Sequence, residues 1–102
     1  MKQYNTIIKE FNYLKTEYNF SIDKKYWAYR RYYVLWEKKD IQIYIGYSNN
    51  KDLSPVIDIL GPGIRIKYNE KQNVSKYEPI SRLIAASDWL RQYMFNNYAL
   101  FK

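Results

Sequence analysis

Residues 40–47 read Asp40-Ile41-Gln42-Ile43-Tyr44-Ile45-Gly46-Tyr47, with Ile41, Ile43, Ile45 and Tyr47 alternating strictly with the residues between them. A β-strand turns successive side chains to opposite faces, so this period of two predicts a half-buried strand. Ile41, Ile43 and Ile45 take the inner side, and Gln42 and Tyr44 take the outer. The inner side offers neighbouring segments an apolar surface on which to collapse, and the core is expected to start here.

Working outward, residues Trp27 to Trp36 are aromatic and branched, the composition of a strand. One face would be Ala28, Arg30, Tyr32, Val34 and Trp36, the other Trp27, Tyr29, Arg31, Tyr33 and Leu35. Neither is polar, so the pattern leaves open which face is inner. Glu37, Lys38 and Lys39 form a short charged connection, predicting an antiparallel hairpin with the strand at Asp40. Beyond Tyr47, Ser48 to Asp52 are loop formers and Pro55 leads into a third strand, Val56 to Leu60. Gly61-Pro62-Gly63 interrupts it, as a tight turn or a bulge. Ile64, Ile66 and Tyr68 then alternate with Arg65 and Lys67 as a short fourth strand, and Asn69 to Lys76 reads as a polar, mobile connection.

Helical stripes flank these strands. Tyr4, Ile7, Ile8, Phe11, Leu14 and Tyr18 follow the three-and-four spacing of one amphipathic helix. Asn5 or Thr6 suits its start, Asn19 a left-handed end, and Phe20 and Ile22 are expected to fold back beneath it. Pro79 suits the first turn of a second helix, whose stripe is Ile80, Leu83, Ile84, Leu90 and Met94 with Ala85 and Ala86 beside it. Ser87 and Asp88 could cap a new start and divide it, and Asn96 and Asn97 suit its end. The expected fold is α+β: one domain over residues 1–102, with a three- or four-stranded antiparallel sheet and both helices packed on one face.

Composition narrows the function. The chain has 102 residues, no cysteine and no histidine. Missing together are thiolate nucleophiles, disulfides, the commonest metal ligand and the side chain best suited to proton transfer near neutral pH. No apolar run is long enough to span a membrane, and Met1-Lys2-Gln3-Tyr4-Asn5 does not open a secretory signal, so a cytoplasmic location is expected. Gly61-Pro62-Gly63 lacks the lysine, hydroxyl and following helix of a phosphate loop. The carboxylates Asp40, Asp52, Asp58, Glu70, Glu78 and Asp88 form no recognisable pair and read as solvated surface. No lysine-activated serine is expected either. A protein without enzymatic activity, cofactor or metal is predicted.

The net charge of +7 would favour nucleic acid, an anionic membrane or an acidic protein if it were concentrated. It is spread along the chain, except over residues 61–76, where Arg65, Lys67, Lys71 and Lys76 face only Glu70. The sharpest local feature is the basic and aromatic run from Lys24 to Tyr33. Rings and arginines of this kind anchor protein interfaces, and they also stack bases while holding phosphates. The candidate partner-binding residues are Tyr29, Arg30, Arg31, Tyr33, Tyr44, Arg65 and Lys67, on the sheet face turned from the helices. That face is expected to be covered by a protein partner or a second copy, with nucleic acid as the alternative and no membrane involved.

The pattern Phe11-x-x-Leu14-x-x-Glu17-Tyr18-x-Phe20, followed by an aromatic hairpin ending in Asp40-Ile41-x-Ile43-x-Ile45, resembles small immunity-type proteins found beside bacterial polymorphic toxins. The resemblance covers the first half of the chain. It implies a cytoplasmic α+β domain that binds and blocks a toxin and has no catalytic residues. The positive charge points away from a nuclease as the toxin, because an inhibitor of a nuclease would mimic nucleic acid with carboxylates. The order helix, three strands, helix is also similar to that of double-stranded-RNA-binding domains. Where those carry a lysine cluster, this chain has Glu78-Pro79-Ile80-Ser81.

Overall fold

The strand at residues 41–47 lies at the centre of a five-stranded sheet in the computed structural model, which describes residues 2–70 and 77–102. Lys71 and Lys76, and with them most of the stretch expected to be a mobile connection, lie outside the described residues. The described elements are α1 (Lys2–Glu10), α2 (Tyr13–Thr16), β1 (Ser21–Ala28), β2 (Arg31–Lys38), β3 (Ile41–Tyr47), β4 (Val56–Gly61), β5 (Ile64–Lys67), α3 (Pro79–Asn96) and α4 (Tyr98–Phe101). Each strand pairs antiparallel with the next in the order β1-β2-β3-β4-β5. The class is α+β with helices at both ends, and the strand number is five where the sequence pattern predicts three or four.

The extra strand comes from a turn without a turn signature. Residues 27–36 are not one strand: Tyr29 and Arg30 sit at φ 50° and 64° and close a hairpin in which Ala28 faces Arg31. Two successive positive φ values are what a type I′ turn demands, and Asn-Gly usually supplies them. Side chains with a Cβ occupy this region at a cost of about 1 to 3 kcal/mol each, offset here by the ladder the turn closes. A register shift between Ile22 and Lys24 breaks the alternation of β1, which hides that strand from a period-two reading. Glu37 and Lys38 pair with Gln42 and Ile41, so the expected three-residue connection shrinks to Lys39-Asp40, with Lys39 at φ 53°. At Gly61-Pro62-Gly63 the outcome is a tight turn. Gly61 faces Ile64, Pro62 leads, and Gly63 takes φ 72°, a value that favours glycine.

The N-terminal stripe holds although the helix does not. α1 ends at Glu10 and a separate turn of helix begins at Tyr13, yet Ile7, Phe11, Leu14 and Tyr18 are all buried. Asn5 and Thr6 lie inside α1, where the Thr6 hydroxyl donates to the Lys2 carbonyl at 3.0 Å. Asn19 takes φ 61° at the end, as expected. Phe20 joins the core, whereas Ile22 stays 38% exposed on β1. α3 runs unbroken for 18 residues and ends at Asn96. Its buried face is Leu83, Ala86, Leu90 and Met94, rotated from the expected stripe so that Ile80 and Ile84 remain exposed.

Ser87 does not cap a helix; it ties three segments together. Its hydroxyl donates to the Glu10 carbonyl at 2.8 Å, and the Tyr13 hydroxyl donates to the Ser87 carbonyl at 2.8 Å. The Lys38 ammonium donates to the Phe101 carbonyl at 2.6 Å, pinning α4 to the sheet. Val34 and Trp36 of β2, Ile43, Ile45 and Tyr47 of β3, and Ile57 and Ile59 of β4 share one core with Ile7, Leu83, Leu90 and Met94. Both long helices therefore cover the same side of the sheet. Within this core the Trp36 indole N–H has no partner among the described residues. Such a donor costs about 1 to 3 kcal/mol, which the burial of so large a ring offsets.

Ile43 is fully buried at the centre of this core. Ile43→Ala is expected to lower stability by about 2 to 5 kcal/mol in a denaturant titration. Burial raises the Tyr13 phenol well above its ordinary value. A group with a raised folded pKa contributes fully below its unfolded pKa and loses that contribution as pH climbs through the folded one. Stability should thus fall above about pH 10. Tyr13→Phe should cost about 0.5 to 1.5 kcal/mol at neutral pH and make that alkaline loss shallower, as read by denaturation at a series of pH values.

Candidate functional site

The sheet face without helices is ordered by the register into rows of neighbours. One row runs Lys24, Leu35, Tyr44, Asp58 and Lys67; the next runs Tyr26, Tyr33, Gly46 and Val56. In the second row the ring of Tyr33 lies so close over Gly46 that a Cβ there would come within 2.6 Å of it. Glycine is required by that approach, because any side chain would displace the ring. Tyr26 stacks on Tyr33 with centroids 5.2 Å apart and planes within 8°, and the Lys24 ammonium stands 5.2 Å from the Tyr26 ring centre.

Part of this face is closed to water although no helix of the core packs on it. Tyr33 is 8% exposed and Leu35 only 2%, although neither belongs to the core beneath the helices. Burial raises the phenols of Tyr26 and Tyr33 above their ordinary value. Tyr44 is half-buried, and its hydroxyl donates to the Gln42 side-chain oxygen at 3.2 Å. The face is thus an aromatic layer built from the sheet's own side chains.

Charge is arranged around the layer. Arg31 is held by donating from Nε to the Ser54 carbonyl at 2.8 Å and from Nη1 to the Tyr29 carbonyl at 3.3 Å. Exposed Lys67 lies 3.9 Å from half-buried Asp58, and Arg65 is exposed. Of the seven candidate residues, Arg31, Tyr33, Tyr44, Arg65 and Lys67 share this face. Tyr29, 83% exposed, and Arg30 do not; they form the tip of the first hairpin. Outside the seven are Lys24 and Tyr26, which the sequence reading placed only within the basic and aromatic run, and Leu35, which it left on an unassigned strand face. The available signal was Gly46, since a glycine inside a strand marks a place where another group comes close.

Other constellations are structural. The Ser-x-x-Lys spacing occurs at Ser21 with Lys24 and at Ser48 with Lys51. Lys24 faces the Tyr26 ring and Lys51 pairs with Glu78, while the Ser48 hydroxyl accepts from the Asn50 N–H. Neither lysine is placed as a base. Glu70, read as a solvated carboxylate, is instead in a buried two-point pair with Arg82, at 2.9 Å from Nε and 2.5 Å from Nη2. Arg82 also donates to the Lys51 carbonyl at 2.7 Å. A cavity of about 410 Å³ opens beside this pair, with Tyr68, Ala85 and Trp89 in its walls. Among the described residues there is no group of three or more acidic side chains placed to hold a metal ion. No described helix is long and apolar enough to cross a membrane.

Compared with family models, with curated proteins and with solved structures, the chain matches none of them.

The close approach at Gly46 gives a direct test of the layer. Gly46→Ala is expected to push Tyr33 aside, unstack it from Tyr26 and cost about 1 to 3 kcal/mol. Near-ultraviolet circular dichroism should report the lost tyrosine stacking, and a denaturant titration the lost stability.

Proposed function

We propose that this chain is a non-enzymatic protein-binding module whose contact surface is the open face of the sheet. The observation that carries the reading is the aromatic layer of Tyr26, Tyr33 and Tyr44, rimmed by Arg31, Arg65 and Lys67. Tyrosine and arginine anchor interfaces because they bury large area with few rotatable bonds, and here their positions are set before any partner arrives. The resemblance of the first half to immunity-type proteins makes neutralisation of a toxin the specific form of this function. Nucleic acid is the second reading, favoured by the excess of Lys24, Arg31, Arg65 and Lys67 over Glu37 and Asp58 on the same face.

Salt separates the two. Capture from the native host should recover a protein on the wild-type chain that is lost with Tyr44→Ala combined with Arg65→Ala. That capture should persist from 50 to 200 mM salt, because an aromatic interface releases few counterions. Binding of a twenty-nucleotide oligothymidylate that weakens steeply over the same range would overturn the proposal in favour of nucleic acid.

A further inference from the structure

Among the described residues β1 has a strand on one side only, so its outer edge is a second surface open to a partner. β1 ends the sheet, is eight residues long, and six of the eight are exposed. The opposite edge, β5, has only four residues. A long edge offers a row of unpaired backbone groups to another strand, and short edges offer little. Because the two-residue turn makes Ala28 and Arg31 the hydrogen-bonded pair that closes the hairpin, Tyr26 also bonds inward to Tyr33. The N–H and C=O groups of Lys25 and Trp27 therefore point away from β2. Trp27 itself is 59% exposed.

The side chains along this edge name the occupant. Lys24, Lys25 and Arg30 stand against Asp23 alone, in a chain of net charge +7. A second copy would bring the same charge and the same lysines, and like charges across a strand pair are destabilising. Nucleic acid has no strand to add. Resting on the protein-binding reading above, we propose that β1 accepts an extended acidic segment of another polypeptide as a sixth strand. The pleat puts Lys25 and Trp27 on the helix side and Lys24 and Tyr26 on the open side. An antiparallel segment passing Trp27, Tyr26, Lys25 and Lys24 in that order meets two apolar and then two basic side chains. Its complement is two apolar residues followed by two acidic ones.

The probe is the acetylated, amidated peptide Thr-Val-Val-Glu-Glu-Thr, with Thr-Val-Val-Lys-Lys-Thr as its counterpart, each added to the full chain at millimolar concentration. Amide hydrogen exchange is followed by nuclear magnetic resonance. With the acidic peptide at ten times its Kd, exchange at Lys25 and Trp27 should slow about tenfold. The lysine peptide should leave both amides unchanged. Lys24→Glu combined with Lys25→Glu changes only exposed side chains and should reverse the preference. No protection at either amide, or equal protection by both peptides, overturns the proposal. Shifts confined to Leu35 and Tyr44 also overturn it and leave the open-face reading standing. Recovery of an open-face partner that does not need Lys24 or Lys25 would do the same.

Discussion

Burial of the inner isoleucines of the central strand is the constraint on which the rest of this structure depends. Ile43 and Ile45 are wholly removed from water, each worth roughly 1.5 to 3 kcal/mol in transfer alone. They can be buried only if β2 and β4 flank them and the helices cover one side. Because the period of a strand is two, committing these residues inward commits Gln42, Tyr44 and Gly46 outward. The open face is the direct geometric consequence of the core.

That outward face solves its own exposure in a way that composition does not announce. Two layers of helix could have sandwiched the sheet, but both long helices lie on one side. On this face Leu35 is 2% exposed, Tyr33 is laid over Gly46 and Tyr26 is stacked upon Tyr33. The rings that cover the strand backbone are also the rings that make up the open face. A rigid aromatic surface of this kind loses little side-chain entropy on binding.

The polar ties follow the same logic of holding segments that a small core cannot hold unaided. Tyr13 and Ser87 join the end of α1, α2 and the middle of α3. Arg82 gathers Glu70 and the loop carbonyl of Lys51 near the start of α3. A buried pair of this sort is a weak contributor beside an apolar pair, yet breaking it by removing one partner leaves a buried charge. Its effect is to fix where α3 sits against the last strand.

Much of the fold was legible from local pattern. Alternation over residues 40–47 identified β3 and its inner face. Helical spacing identified Ile7, Phe11, Leu14 and Tyr18 as buried, and Pro79, Asn19 and Asn97 marked helix ends by their backbone preferences. These are near-neighbour properties, and a sequence carries them directly. β1 was not legible, because its bulge erases the period and its turn is made by Tyr29 and Arg30, which bear no turn signature. Only pairing with β2 makes those left-handed conformations worth their cost. Tertiary structure alone decided that Tyr33 rather than Tyr32 faces outward, that Tyr26 stacks on it, and that Ser87 binds Glu10 instead of capping a helix. Each depends on the pairing or packing of one segment against another, which no local period encodes.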